Sequence, residues 1–378
     1  MIWILYSVCI VAITFFAIDA IFSFRTWQSR IFIGRKKDDS WRNLINRKVE
    51  KWVLNTPTIK LTDNNRLIVI DMLKGNYRRA TIQHWQKAGL ILGLTNKQVN
   101  KFDVKKLLHQ THPKSIPIES DYVIYAYALL NAASEEERIQ FRPYFDAVYE
   151  MLVKLKNKHT IIPYKSYTGH QMYIDTIGFI CPFLFLYSQV YGVDTASEMA
   201  VQQISEFNQF GMYPGTFLPC HTYNLNNTVP TAGLFGWGRG MGWYAIGLID
   251  VWKLMPTEHK DYSKVTSWVL NYAKTILSYQ QSDGAWTWNV LVENSRKDSS
   301  ATVMLTWFLL HTISITEIKE DSQNAVHKSL EYLKTVTRRD GALDFCQGDT
   351  KGIGVYSQTF DILPFAQGYL LRILNKLN

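Results

Sequence analysis

The chain has 378 residues, of which 47% are apolar and 14% aromatic, and its formal net charge is +9. This length accommodates one large domain or two medium ones. The positive charge is compatible with nucleic acid, but no basic stripe accompanies a nucleic-acid motif, so we expect no nucleic-acid partner. Four scattered cysteines form neither a disulfide framework nor a CxxC pair, which favours a reducing compartment.

The N-terminal stretch 2–24 is apolar except for Ser7, Thr14, Asp19 and Ser23. About 20 apolar residues span a bilayer, so residues 1–24 are predicted to be a transmembrane anchor. A signal peptide is the alternative, but no Lys or Arg precedes the run and no A-x-A site follows it. Residues 25–40 form a basic juxtamembrane linker. The positive-inside bias therefore predicts a single-pass membrane protein whose following domain is cytoplasmic.

From residue 41 onward, strongly apolar segments recur at regular intervals, starting near Arg66, Asp121, Asp175, Trp243, Ser300 and Asp361. More charged, amphipathic segments lie between them, at 41–54, 78–92, 135–157, 195–210, 262–280 and 322–337. Such alternation indicates repeated pairs of a buried and a half-exposed helix. The sequence therefore predicts an all-α fold over residues 41–378, an (α/α)6 barrel of six inner and six outer helices.

The links from outer to inner helices also repeat, as SDGAWTW (282–288), RDGALDF (339–345) and GMYPGTF (211–217). Gly and Asp favour turns. In a ring of antiparallel helix pairs these links gather at one end, so they are expected to form the lip of a single functional cleft.

The stretch GWGRGMGW (236–243) precedes an apolar run that indicates a buried helix. Its glycines suit a loop with positive φ and a close approach to a ligand. On such a loop Arg239 is suited to bind a carboxylate, and the indoles of Trp237 and Trp243 to stack on a ring. The alternative is a glycine-rich turn with two ordinary core tryptophans.

Four aspartates stand at the predicted starts of inner helices: Asp121, Asp175, Asp298 and Asp361. Each is either a helix N-cap or a carboxyl group at the mouth of the barrel. Asp175 and Asp121 are the stronger candidates for proton transfer because their neighbours are aromatic. His221 and His170 lie on predicted loops and are either substrate contacts or solvated side chains. With no metal-binding or nucleophile motif in the sequence, we predict no metal and no cofactor.

Four segments carry a resemblance to a known family, and in chain order they are QMYID with PFL, His221, GWGRGMGWYAIGLIDV and DSSATVML. They resemble the unsaturated glucuronyl and rhamnogalacturonyl hydrolases of glycoside hydrolase families 88 and 105. The resemblance implies an (α/α)6 barrel with Asp175 as the proton-transferring acid/base and Asp121 as a second carboxylate. It implies substrate contacts by His221, Arg239 and Trp243. Tyr173, where the family more usually has tryptophan, is expected to contact substrate with Trp237.

The reaction that the resemblance implies is removal of a terminal 4,5-unsaturated uronic acid from an oligosaccharide by hydration of its enol ether. The partners would be this unsaturated oligosaccharide and a membrane. Two alternatives remain: a non-hydrolytic protein of glycan binding or polysaccharide assembly on the same fold, and a polysaccharide lyase. A lyase creates the unsaturated bond that a hydrolase consumes, so the sign of an ultraviolet absorbance change separates them.

Overall fold

The structure is a computed structural model that describes residues 1–35, 38–78, 83–94, 104–157, 160–227 and 235–377. In chain order its helices are α1 (Ile2–Arg30), α2 (Asp38–Leu54), α3 (Ile68–Leu73), α4 (Gln83–Leu92), α5 (Val104–His109), α6 (Val123–Ala132), α7 (Glu135–Gln140), α8 (Arg142–Leu155), α9 (Ile174–Tyr191), α10 (Asp194–Phe210), α11 (Gly238–Leu254), α12 (Tyr262–Ser278), α13 (Ser299–Thr312), α14 (Lys319–Thr335) and α15 (Pro364–Lys376).

Within the described part of the chain, the helices α4, α6, α9, α11, α13 and α15 form a closed inner ring in which each packs against the next. Outside them lie α2, α5, α8, α10, α12 and α14, each preceding its inner partner in sequence. The inner helices are apolar on nearly every face and almost wholly buried, as expected of helices covered on all sides. The predicted (α/α)6 barrel is confirmed.

The first repeat differs from the prediction. The apolar segment 66–73 forms only the short helix α3, which packs against α1 rather than joining the inner ring. The inner position belongs to α4, which lies in the segment 78–92 predicted as amphipathic. Its polar Gln86 is buried and accepts a hydrogen bond from the backbone N–H of Phe365, at 3.0 Å. A side chain that satisfies a neighbouring backbone group looks like a surface residue in the sequence.

The strands form two antiparallel pairs at the end of the barrel where the inner helices begin. β1 (Gln171–Tyr173) pairs with β2 (Thr222–Asn224), so that Tyr173 lies opposite Thr222. β3 (Cys346–Gln347) pairs with β4 (Phe360–Asp361). The first pair joins two connections that are far apart in sequence, the second pair lies within the single connection between α14 and α15, and these connections build the lip of the barrel.

The three predicted glycine links do turn sharply, since Gly215, Gly284 and Gly341 all have positive φ. Among their aromatic residues, Trp286 serves the core instead of the lip, since it is fully buried and donates to the carbonyl of Ile276, whereas Tyr213 is exposed to solvent. None of the residues of these links lines the cleft described below. The prediction that they form its lip was wrong, because the longer connections at 160–173 and 345–361 cover that position.

The N-terminal helix α1 has no buried residue, and it is long and apolar enough to cross a membrane, a property that spans share with signal sequences. α9 passes the same test but lies inside the barrel. α1 continues to Arg30, six residues into the predicted linker 25–40. It contacts the barrel from Asp19, whose carboxylate accepts from the backbone N–H groups of Leu67 and Ile68.

Candidate active site

A cleft of about 810 Å³ opens at the end of the barrel where the inner helices begin. All seven residues predicted to act in catalysis or substrate binding line it: Asp121, Tyr173, Asp175, His221, Trp237, Arg239 and Trp243. They come from four separate stretches of the chain. The barrel brings the stretches together because each precedes or begins an inner helix, and all these helices start at the same end.

Asp175 lies in the first turn of α9, directly after β1. The pairing of β1 with β2 brings His221 beside it, and the backbone N–H of Ile174 donates to the carbonyl of His221 at 3.0 Å. The Asp175 Oδ2 and His221 Nε2 atoms lie 3.6 Å apart. On its other side His221 Nδ1 is 3.0 Å from the hydroxyl of Tyr356. The buried imidazole is therefore held between a carboxyl group and a phenol.

The four aspartates do not share one role. Asp298 is the N-cap of α13, and its Oδ1 accepts from the backbone N–H of Ser300 at 2.8 Å. Asp175 caps nothing, since the N-cap of α9 is Tyr173 and no side chain bonds to the free N–H groups there. Asp121 lies in a 3₁₀ turn, Ser120–Tyr122, without a cap bond. Asp361 pairs with Arg338 at 2.6 Å. The capping interpretation therefore describes Asp298 alone.

Asp121 is nearly buried at the wall of the cleft and accepts a hydrogen bond from the Tyr164 hydroxyl at 3.2 Å. Burial raises the pKa of Asp121 to about 6, and the neighbouring charge of Glu119 adds to the rise. Lys165 and the Tyr164 hydrogen bond oppose the rise but do not cancel it. Desolvation is the usual reason for a carboxyl group that holds its proton close to neutral pH.

The stretch 236–243 is mostly helix, because α11 begins at Gly238 with Trp237 as its N-cap. The prediction of a loop with positive φ holds only for Gly236. The glycine at 242 instead permits close helix packing: a Cβ there would lie 2.7 Å from the Cβ of Met304 on α13. Gly242 thus lets two helices pack closely and does not form part of a ligand-binding loop.

Arg239 is 2% exposed and its guanidinium donates to the backbone carbonyls of Gln347 and Gly348, at 2.6 and 2.9 Å. It also donates to the Thr350 hydroxyl at 3.2 Å. The indole of Trp237 donates to Gln347 Oε1 at 3.0 Å. Together these side chains bind β3 and the residues directly after it, and so position this connection at the wall of the cleft.

Aromatic rings form much of the cleft wall. Trp243 packs against Phe179, with ring centroids 4.4 Å apart. Tyr173 stacks on Tyr164 at 5.3 Å and an interplanar angle of 29°. Burial, with the nearby Tyr167 and Asp175, raises the pKa of Tyr173 to about 12, so its hydroxyl stays neutral. Tyr164 and Tyr173 are partly exposed, and flat faces of this kind suit the apolar faces of a sugar ring, whereas Trp243 is buried.

Several lining residues were missed in the sequence, among them Glu119, Tyr164, Lys165, Asp349 and Lys351, as was Tyr356 behind His221. All lie in connections without helical periodicity, so no repeat marks them. One usable signal was YKSY (164–167), a lysine between aromatic residues shortly before QMYID. Among the described residues no group of three His, Cys, Asp or Glu side chains is placed to hold a metal ion.

The sequence profile of Glycosyl Hydrolase Family 88 matches residues 77–373, which contain the whole cleft except Leu61, Thr62 and Asn76. The chain belongs to this family. No curated protein sequence matches it significantly.

Solved structures share the fold of this family 88 chain. One, described as a possible member of glycoside hydrolase family 105 from Salmonella enterica, has a TM-score of 0.75 and 16% identity over 90% of this chain and 93% of that one. An unsaturated glucuronyl hydrolase from a Bacillus species, described as responsible for glycosaminoglycan degradation, has a TM-score of 0.63 and 15% identity, covering 89% and 95%. A protein described as a polysaccharide lyase has a TM-score of 0.63 and 14% identity over the same shares.

Proposed function

We propose that this chain hydrolyses oligosaccharides that end in a 4,5-unsaturated uronic acid and releases that sugar. The observation that carries the proposal is the composition of one cleft, in which two carboxyl groups, Asp175 and Asp121, line the same space as Arg239 and stacked aromatic rings. Membership of Glycosyl Hydrolase Family 88 makes a glycosidase the expected class of enzyme.

The charge of Arg239 supports an anionic substrate. Among the described residues, three cations line the cleft: Lys165, Arg239 and Lys351. Lys165 lies 3.3 Å from Glu119 and Lys351 lies 2.8 Å from Asp63, so both are neutralised within the protein. Arg239 bonds only to neutral oxygens, and no described carboxylate lies within 4 Å of it. Its positive charge, barely exposed to solvent and without a carboxylate in direct contact, favours the carboxylate of a substrate in the cleft.

In the proposed reaction Asp175 gives its proton to C4 of the unsaturated sugar, and positive charge develops at C5 beside the ring oxygen. A water molecule then bonds to C5 and returns a proton to Asp175. The resulting hemiketal opens and the next sugar is released. His221, held by Tyr356, orients Asp175. Asp121, with a pKa of about 6, is partly protonated near neutrality and can donate to a substrate hydroxyl.

An absorbance assay with a panel of lyase-generated disaccharides tests this proposal. The hydrolase consumes the C4=C5 bond that is conjugated with the carboxylate, so the ultraviolet absorbance should fall. A rise in absorbance with an intact polysaccharide would instead show a lyase. No change, with binding on a glycan array, would show a binding protein. Arg239→Lys, which loses the planar fork, should weaken turnover strongly, whereas the exposed Arg47→Lys on α2 should not.

We further propose that α1 is retained as a single-pass membrane anchor and that the barrel lies on the cytoplasmic side. Residues 2–14 of the helix are all exposed, which leaves the apolar surface of that part free for lipid. The cations that follow it, among them Arg25, Arg30 and Arg35, favour the cytoplasmic side for the domain.

A further inference from the structure

A second cleft, of about 780 Å³, lies between the end of α1 and the barrel. One wall is the α1 segment 22–30, and the other combines residues 57–65 with the connection around β4. Arginines dominate its lining: Arg25, Arg30, Arg78, Arg296 and Arg338, with Lys60 beside them. The carboxylate in the lining is Asp361.

Only part of this positive charge is compensated. Arg30 and Arg338 both bond to the buried carboxylate of Asp344, each at 2.7 Å. By contrast Arg25, Arg78 and Arg296 have no carboxylate within 4 Å among the described residues. Burial, and then the charge of Arg30, lower the pKa of Arg296, as expected where cations are crowded.

The guanidinium of Arg296 is fixed in place without an anion. It lies over the ring of Phe360, 4.2 Å from the centroid, while Arg30 lies 4.8 Å from the centroid of Phe345. Arg296 also lies 5.8 Å from the Phe345 centroid, so both arginines contact this one ring. Rings that hold guanidinium groups by their faces leave the N–H edges available for an external anion.

The point at which α1 meets the barrel sets how deep in the membrane this cleft would lie. Among the described residues, the first hydrogen bond from α1 to another part of the chain is made by Asp19, and 18 residues precede it. At 1.5 Å per residue these 18 residues span about 27 Å, close to the roughly 30 Å of a bilayer hydrocarbon core. The wall at 22–30 then lies in the headgroup layer. The exposed pair Phe24 and Trp27 fits that depth, where aromatic residues are enriched.

We propose that this second cleft binds the headgroup of an anionic phospholipid from the membrane that holds α1. The phosphate would take the position between Arg78, Arg296 and the end of α1, because guanidinium groups bind phosphate oxygens in pairs. The inference rests on α1 being a membrane anchor. It is independent of the proposed hydrolysis, since none of the residues that line this cleft lines the catalytic one.

The test uses the full chain in nanodiscs of phosphatidylcholine with or without phosphatidylglycerol. Native mass spectrometry then counts the lipid molecules that stay bound to the protein after it is released from the nanodisc. The wild-type chain should retain phosphatidylglycerol but not phosphatidylcholine. The double variant Arg78→Gln with Arg296→Gln should lower the phosphatidylglycerol affinity by at least about tenfold, as expected for two lost cations at a membrane surface. Neither residue lies on α1, so insertion is unaffected.

The control is the double variant Arg47→Gln with Lys51→Gln, which removes the same charge from the exposed face of α2. It should retain phosphatidylglycerol like the wild type, and equal thermal midpoints establish that all forms are folded. Equal retention by wild type and the Arg78/Arg296 variant would overturn the proposal, as would an equal loss in the control. Displacement of the lipid by a soluble polyuronate would assign the cleft to glycan. Extraction of the chain by alkaline carbonate would overturn the anchor and the lipid site together.

Discussion

Asp175 and Asp298 both stand near the start of an inner helix, yet their surroundings assign them different tasks. The Oδ1 of Asp298 accepts from the backbone and hydroxyl of Ser300 and from the backbone N–H of Gln347, at 2.6 to 3.0 Å. Asp175 makes no such bonds and instead lines the cleft beside His221. At the scale of a single residue, helix capping and chemistry are separated by what each carboxyl group touches.

The first prediction uses this difference. Asp175→Asn should reduce turnover of an unsaturated disaccharide by about 10²–10⁴-fold, because an amide cannot give up and retake a proton. Its thermal midpoint should not change, since the side chain caps nothing. Asp298→Asn is the counterpart: a weaker acceptor and a buried NH₂ group without an acceptor should cost about 1–3 kcal/mol of unfolding free energy. A similar rate loss in both variants would remove Asp175 from proton transfer.

The second prediction concerns the pH dependence of stability at Asp121. Its pKa of about 6 in the folded protein exceeds the ordinary value of 3.8, so its contribution to stability is full below pH 4 and is lost as the pH rises through 6. Asp121→Asn removes the ionised form and should raise the unfolding free energy at pH 8 by about 1–3 kcal/mol. At pH 4 this gain should be nearly absent.

Denaturant unfolding of both forms at pH 8 and pH 4 measures this effect. Glu331→Gln, on the exposed face of α14, is the matched control and should change little at either pH. A destabilised Asp121→Asn protein at pH 8 would mean that the carboxylate is stabilised in place, contrary to the desolvation that raises its pKa.

At the scale of elements, the inner helices are tied together at the end opposite the cleft by one buried carboxylate. Asp250, near the end of α11, accepts from Arg372 at 2.8 Å, from Trp307 at 2.9 Å and from Tyr127 at 3.0 Å. These partners lie on α15, α13 and α6 respectively. Burial alone would raise the pKa of Asp250, but Arg372 and Lys253 outweigh it and lower the pKa to about 2. The group therefore joins four inner helices.

The third prediction is that Asp250→Asn lowers the unfolding free energy by about 3–5 kcal/mol, because the charge of Arg372 stays buried without its partner. Glu317→Gln, which breaks an exposed ion pair with Lys274, should cost less than about 1 kcal/mol. At temperatures well below the thermal midpoint of unfolding, turnover should be unchanged, since Asp250 lies about 16 Å along α11 from Arg239. A loss of turnover in the folded variant would contradict that separation of the two ends.

At the scale of the whole molecule, α1 is part of the barrel's own packing as well as a proposed anchor. Arg30 bonds to Asp344 through two nitrogens and to the carbonyl of Phe360 at 2.9 Å. The carboxylate of Asp344 also binds Arg338, near the turn into the connection around β3. If α1 spans a membrane as proposed, a contact of this kind would fix the height of the barrel above it instead of leaving the barrel on a flexible linker.

The fourth prediction concerns topology. The full chain should stay in the membrane fraction after alkaline carbonate treatment, and deletion of residues 2–18, which precede the contact at Asp19, should release a folded barrel. A reporter fused after Asn378 that is active only in the cytoplasm should be active. Activity of a reporter that works only outside the cytoplasm would reverse the orientation, and a mature chain without residues 1–24 would identify a signal peptide.

The repeat of apolar and amphipathic helices, and seven of the residues that line the cleft, could be predicted from the sequence alone. Helical periodicity and short motifs are local properties, so they can be seen without a structure. The sequence also identified five of the six inner helices. The remaining one, α4, was hidden because Gln86 satisfies a backbone group of α15 and therefore resembles a surface residue.

Which aspartate caps a helix could be seen only in the folded chain, since all four occupy similar positions in the sequence and differ in their distant neighbours. The tertiary structure likewise showed that Gly242 serves helix packing against Met304, a contact across 62 positions of the chain. The contribution of Tyr164, Lys165 and Tyr356 to the site was decided in the same way. These residues lie in irregular connections, where the path of the backbone depends on the elements it must join and leaves no periodic pattern in the sequence.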